Sequence, residues 1–288
     1  MMGQLTSLDK EQLFFCFGPP KSGTTFLQRT LNLHPEISCP SEHQFNRIVN
    51  GLEELVQSYQ NTLQVIDRRT GGQGVAPMQK TTFTGIFRFY VESMIKEAAK
   101  NGEPIIGAND NAIRKNLDLY DEIFNHPRMI YIFRNPTDMA ISAWHHNLRL
   151  AREENDPAHE QYVTQYGGFE GWVRQYARWF ARDINTYRAF SKNHRNIIPV
   201  RYEDMVSAKR KTLREVFDFL GADKNEDILE SIEHKSSLSY MRKQSSNPAF
   251  FRSASIDLGA GELSDQLRCD VTKIAGDALK FLDYEMKS

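Results

Sequence analysis

Five consecutive apolar residues, Leu13–Phe17 (LFFCF), run directly into Gly18-Pro19-Pro20-Lys21-Ser22-Gly23-Thr24-Thr25 and then into a helical pattern. The apolar run is continuous rather than alternating. That pattern marks a strand covered on both faces, as strands of helix-flanked parallel sheets are. Three further runs share the character: Pro104–Ile106, Met129–Phe133 and Ile197–Val200. Amphipathic stretches separate them. Gly85–Lys100, Asp138–Arg152 and Phe169–Phe190 are expected helices, the last with Trp172, Val173, Tyr176, Trp179, Phe180 and Ile184 on one face. Alternating strands and helices predict an α/β fold, a parallel β-sheet flanked by helices with right-handed crossovers. No linker or internal repeat divides the chain, so residues 1–288 are expected to form a single domain. The most loop-like stretch is Asp67–Thr82, read as a surface connection or as a mobile cover over a substrate site.

The loop after the first run has its own chemistry. A strand–loop–helix unit aims backbone N–H groups and the positive end of the helix dipole at one point. Lys21 adds a full charge there, and the Ser22, Thr24 and Thr25 hydroxyls add donors. A plain turn capped by Thr24 would explain the glycines and prolines but not the lysine beside three hydroxyls. The chain carries 36 Lys+Arg against 37 Asp+Glu, a formal charge of −1. A dedicated nucleic-acid binder would show a basic excess, so an anion site here must come from a few placed groups.

The spacing from Gly18 to Gly23 fits G-x-x-x-x-G, but Thr24-Thr25 stand where a Walker loop requires Lys-Ser/Thr. The lysine sits three residues after Gly18 instead, which weighs against a P-loop nucleotide kinase. A second anchor follows Met129–Phe133, where Arg134-Asn135-Pro136-Thr137-Asp138 lead into the helix that carries Ser142. This places a guanidinium at the carboxyl end of a strand, where open α/β sheets bind ligands, and Arg grips phosphate bidentately. Asp138 is expected as the helix cap; alternatively, Arg134 pairs with an acidic side chain.

These segments carry a resemblance to a known family. PKSGTT (residues 20–25) resembles the 5′-phosphosulfate loop of sulfotransferases that use 3′-phosphoadenosine 5′-phosphosulfate (PAPS). RNPTDMAIS (134–142) is similar to their 3′-phosphate motif, and Pro199–Met205 (PVRYEDM) to their strand ending in YED. The resemblance implies a P-loop NTPase-like sulfotransferase fold and transfer of a sulfuryl group from PAPS to a hydroxyl, or to an amine, leaving adenosine 3′,5′-bisphosphate (PAP). It implies Lys21 on the leaving oxygen, with Ser22, Gly23, Thr24 and Thr25 around the 5′-phosphate. Arg134 and Ser142 fall on the 3′-phosphate, and Phe26 and Tyr202 on adenine. Ser237–Asn247 and Phe250–Leu267 resemble the closing C-terminal segment, with Arg252 as a further phosphate ligand. There the chain departs from the cytosolic pattern, reading Arg252-Ser253-Ala254 in place of Arg-Lys-Gly.

The base is placed by the same resemblance. The histidine of cytosolic small-molecule members is absent from Gly107-Ala108-Asn109, and Ala108 stands where other members carry a glutamate. His34–Glu42 resembles the tyrosylprotein type without a gap, which puts Glu42 on the base, with neighbouring His43 as the runner-up. Besides the kinase, the remaining alternative is a PAP-binding module without catalysis.

Three cysteines are too few for a disulfide framework or a thiolate cage, and the N-terminal MMGQLTSLDKEQ lacks the features of a secretory leader. No apolar run approaches the ~20 residues of a membrane span. A cytoplasmic location is therefore expected. No metal is expected: His145 and His146 point about 100° apart on a helix. Asp110 is read as the cap of the next helix. The acceptor is expected to be a hydroxyl-bearing small molecule, glycan or lipid and not a nucleic acid. Its contacts are expected from Gln44–Thr82, Gly85–Tyr90 and His145–Gln165.

Overall fold

A computed structural model describes residues 8, 12–41, 43–72, 80–99, 101–244 and 259–284. The first half runs β1 (Leu13–Phe17), α1 (Thr24–Leu31), β2 (Ile37–Ser38), α2 (Phe45–Arg69), α3 (Lys80–Ala98) and β3 (Ile105–Asn109). A short 3-10 helix, Asn111–Lys115, leads to α4 (Leu117–Ile123) and β4 (Arg128–Phe133). Then come α5 (Pro136–Glu153), α6 (Pro157–Thr164), α7 (Gly168–Ser191), β5 (Ile197–Arg201), α8 (Tyr202–Ser207) and α9 (Lys209–Leu220). The chain continues with α10 (Glu226–Lys235), α11 (Leu238–Gln244), α12 (Gly259–Glu262) and α13 (Asp265–Phe281).

The five strands form one parallel sheet in the order β2-β3-β1-β4-β5. Each expected strand is present within a few residues of its expected bounds, and the expected helices follow likewise. β1 sits in the middle with all five residues buried. Its side chains divide by the period of two. Leu13, Phe15 and Phe17 enter the larger core under α3, α5, α7 and α13, whereas Phe14 and Cys16 enter a second core under α1, α9 and α10. β4 divides the same way, with Met129, Tyr131 and Phe133 on one side and Ile130 and Ile132 on the other. Each buried aromatic contributes roughly 1.5–3 kcal/mol, so the strand that feeds the phosphate loop is fixed on both faces.

Two expectations need correction. Ile197–Val200 is only partly buried: Ile197 enters the larger core and Val200 the second, but Pro199 is exposed. β5 pairs only with β4, and as an edge strand it leaves Pro199 exposed, where a missing N–H costs no ladder bond. Asp67–Thr82 is not one loop, because α2 continues to Arg69 and α3 begins at Lys80, with a turn at 70–72; residues 73–79 lie outside the described residues. Beyond its first turn α2 buries little, its buried residues being Phe45, Asn46 and Val49. Its sequence nonetheless carries an apolar stripe at helical spacing, Phe45, Ile48, Val49, Leu52, Val56, Tyr59, Leu63 and Ile66.

Asp110 caps as expected. One carboxylate oxygen accepts from the Ala112 N–H at 2.8 Å, and the other accepts from the Phe45 N–H at 2.8 Å. It thereby ties the 3-10 helix at the end of β3 to the start of α2, and it is 1% exposed. Asp110→Ala removes a cap and strands a buried N–H, so unfolding in urea is expected to show a loss of about 2 kcal/mol or more. A variant as stable as the parent would show that the junction is held by packing alone.

Candidate active site

The carboxyl ends of β1, β4 and β5 open onto a single cavity of about 970 Å³. After β1 the chain turns through Pro19–Ser22, with the Ser22 N–H donating to the Pro19 carbonyl at 3.1 Å. Lys21 adopts φ 69° and Gly23 φ 100°. Two glycines are required here. A Cβ on Gly18 would lie 2.2 Å from the Ile132 carbonyl oxygen, and one on Gly23 would lie 2.4 Å from the Tyr202 ring. Gly23 precedes α1 with no side-chain cap, which leaves the first-turn N–H groups facing the loop. Lys21, Gly23, Thr24, Thr25 and Phe26 line the cavity. Ser22 lies beneath them, fully buried, and its Oγ has no hydrogen-bond partner. An anion cradle needs this combination of uncapped N–H groups, a cation and an unspent hydroxyl.

Arg134 and Ser142 line the same cavity. Arg134 is 6% exposed. Its Nη2 lies 3.2 Å from the Asp138 carboxylate, and its guanidinium stands 4.4 Å from the centre of the Tyr202 ring. The cap of α5 is Asn135 rather than the expected Asp138. The Asn135 Oδ1 accepts from the Thr137 N–H at 3.0 Å, which frees Asp138 to hold the arginine. The two expectations for Arg134, anion ligand and partner of a carboxylate, are compatible because its fork carries five donors.

Tyr202 begins α8 and meets Phe26 edge to face at 6.0 Å. Burial raises its phenol pKa, and Arg134 opposes that shift. Lys209 closes the far side of Phe26. Its Nζ lies 5.4 Å from the Phe26 ring centre and donates to Ser236 at 3.0 and 3.1 Å; burial lowers its pKa. Glu203 joins the strand ends, accepting from the Asn135 N–H at 2.9 Å and from the Tyr284 hydroxyl at 3.0 Å.

His43 is absent from the cavity lining, and its ring stacks on Phe45 with centroids 5.1 Å apart. Glu42 and Arg252 lie outside the described residues. Among the residues expected to meet the acceptor, the wall takes its share from His145–Gln165 and none from 44–72 or 85–90. Instead it uses Arg114 and Lys115 after β3, and Trp179, Arg182 and Asp183 on α7. Ser142, His145, His146 and Arg149 recur at i, i+3, i+4 and i+7 and share one face of α5, a signal the sequence does contain. His145 Nε2 pairs with Glu262 at 2.8 Å, which fastens α12 beside the cavity. Among the described residues one trio has metal-ligating geometry, Asp121, His126 and His194. It sits at the opposite edge of the sheet, before β4 and β5, where Asp121 pairs with both imidazoles.

Strand ends, an uncapped helix and a buried guanidinium define an α/β protein with an anion-binding loop at the carboxyl ends of its strands. The profile of the sulfotransferase family matches residues 14–226, and the chain belongs to that family. The dog (Canis lupus familiaris) sulfotransferase 1B1 is 28% identical over 118 residues, covering 41% of this chain and 38% of that protein. The rabbit (Oryctolagus cuniculus) amine sulfotransferase is 27% identical over 120 residues, with coverages of 41% and 38%. Both matches thus span well under half of the relative. A mouse sulfotransferase crystallised with PAP superposes with a TM-score of 0.59 at 16% identity, covering 96% of this chain and 86% of that one. A sulfotransferase from Alicyclobacillus acidocaldarius gives 0.51 at 16% identity, with coverages of 94% and 93%. These structures share the fold.

His146 lends the site a pH signature. Burial, then Lys21 and Arg149, lower its pKa from 6.5 to about 4. As pH falls below 6.5 the unfolded chain binds this proton and the folded chain does not, so stability falls between about 6.5 and 4; above 6.5 the group contributes no slope. Urea unfolding across that window is expected to show a shallower decline for His146→Gln. An unchanged curve would mean that His146 titrates normally in the fold.

Proposed function

We propose that this protein transfers a sulfuryl group from PAPS to an acceptor hydroxyl. The observation that carries the reading is that Lys21, Arg134, Ser142, Phe26 and Tyr202, drawn from three strand ends, line one cavity. PAP accompanies the mouse structure of the same fold, and the two retinol dehydratase structures with the fold also hold PAP. The chain is read as a cytoplasmic protein, in keeping with three free thiols and with no described helix long and apolar enough to cross a membrane.

The roles are those that the resemblance implies. Arg134 and Ser142 hold the 3′-phosphate, and Phe26 and Tyr202 flank the adenine. The loop N–H groups, Thr24 and Thr25 hold the 5′-phosphate. Transfer proceeds in line, as phosphoryl transfer does, with little covalent work for the protein. The acceptor oxygen forms a bond to sulfur while the bond from sulfur to the bridging oxygen breaks. Lys21 meets the negative charge that appears on that oxygen, and Glu42 takes the acceptor proton, with His43 as the alternative base.

PAP is expected to raise the melting temperature through linkage, and 5′-AMP to raise it much less, because only PAP engages Arg134 and Ser142. Equal shifts would overturn the 3′-phosphate assignment. Lys21→Ala is expected to lower kcat by about 10²–10³ while stability changes little. Glu42→Gln keeps shape and reach but cannot accept a proton. PAP binding is expected to survive, with turnover falling by about 10²–10⁴. If Glu42→Gln turns over normally and His43→Ala is inactive, the base is His43.

A further inference from the structure

The cations of the cavity fall into two groups, and the sheet order separates them. Lys21 follows β1, Arg134 follows β4 and Tyr202 opens the helix after β5, so the nucleotide groups gather over β1-β4-β5. The other side of β1 belongs to β3 and β2. There the 3-10 helix that follows β3 brings Arg114 and Lys115 to the cavity, and α7 brings Arg182. Arg149, on α5 after β4, is paired with Glu153 at 2.7 Å and does not belong to this group. On this side the wall holds one carboxylate, Asp183, 3.3 Å from the Arg114 Nε. Burial raises the Asp183 pKa, although Arg114, Arg182 and Lys115 all pull it down. Three cations, Arg114, Lys115 and Arg182, against one carboxylate is a local excess in a protein of formal charge −1.

The nucleotide does not account for this group, since its phosphates have the loop, Arg134 and Ser142. The surface beside the cations is aromatic, built of rings that meet edge to face. Tyr162 and Trp179 line the cavity, each meeting Trp172 at 5.6 Å between ring centres. The cavity lies at the upper end of the roughly 300–1,000 Å³ range of small-ligand pockets, which leaves room for a nucleotide and a small second molecule. A neutral acceptor would cover the aromatic wall and leave the exposed Lys115 and Arg182 with Asp183 as the one carboxylate of this part of the wall, already paired with Arg114.

We propose that the acceptor is a small anionic hydroxyl compound. Its apolar body carries the reacting hydroxyl at one end and a carboxylate, phosphate or sulfate at the other, and Arg114, Lys115 and Arg182 hold the anion. This rests on the sulfuryl-transfer reading of the same cavity. Electrostatic steering by rim cations would also speed the encounter of such an acceptor with the site.

The test uses two probes that differ by one carboxylate, 6-hydroxy-2-naphthoate and 2-naphthol. Both are titrated into the protein with and without saturating PAP, and into a Lys115→Gln/Arg182→Gln variant. With PAP bound, the carboxylate probe is expected to bind about tenfold or more tightly than 2-naphthol, the scale of a charge-assisted contact. The double variant is expected to lose that margin while its affinity for PAP stays unchanged. Equal affinities, no binding of either probe to the PAP-saturated protein, or a margin that survives in the double variant would each overturn the proposal. So would a margin that vanishes when PAP is added, because the carboxylate would then have been sitting in the phosphate loop. Failure of PAP itself to bind would overturn the sulfuryl-transfer reading, and the titration without PAP would still decide whether Lys115 and Arg182 hold an anion.

Discussion

The phosphate loop fits only because two of its residues have no side chain. Gly18 packs on the Ile132 carbonyl of β4, and Gly23 packs on the ring of Tyr202 at the end of β5. A methyl group at either place would meet backbone or a buried ring and push neighbouring elements apart. These two contacts draw the ends of β1, β4 and β5 into one site, and they leave α1 starting on a residue that offers no cap. The N–H groups that a capping serine would have satisfied remain available. The hydrophobic layers do the complementary work. Phe15 and Phe17 on one side of β1, and Phe14 on the other, fix the strand on which this loop is mounted.

Electrostatics builds on that frame. A guanidinium only 6% exposed would be costly alone. Asp138, one helical turn on, offsets part of that cost and fixes the direction of the fork. The Tyr202 face supplies a further attraction at 4.4 Å. Glu203, beside Tyr202, reaches back to the Asn135 N–H and so fastens the β5 end to the residue that caps α5. The three strand ends are therefore joined by hydrogen bonds and ring contacts as well as by the sheet. Holding them at fixed separation is what allows groups from distant parts of the chain to meet one ligand.

How legible this was depended on whether the signal was local. Leu13–Phe17 followed by GPPKSGTT gave both strand and cradle, because strand, turn and helix start lie within fifteen residues. Arg134 and Ser142 were legible for the same reason, lying on one strand end and the helix after it. Asp110 as a cap also followed from local chemistry. α2 carries an apolar stripe at helical spacing, Phe45, Ile48, Val49, Leu52, Val56, Tyr59, Leu63 and Ile66, but that its last four turns stay mostly exposed was not legible. Nor was the acceptor wall. Arg114 and Asp183 are neighbours only because β3 and α7 converge over the same strand ends, and no pattern in the sequence spaces them. The division of Arg134 between Asp138 and the cavity was half legible. Both partners were foreseeable, but the cap at Asn135, which frees Asp138, depends on the turn actually taken.

The cavity wall carries more cations than carboxylates. Lys21 and Arg149 both depress the His146 pKa, so each raises the cost of a further positive charge in the same space. Lys209 is held over Phe26 at a lowered pKa by burial. The two cores on which the strands rest hold these like charges together. An anionic nucleotide then relieves repulsion as well as forming contacts, so its binding free energy includes a term that the isolated hydrogen bonds would not show. The same relief extends to His146. Negative charge beside Lys21 removes one of the causes of its depression and moves the imidazole back toward its ordinary value, so its protonation is coupled to occupancy of the phosphate loop.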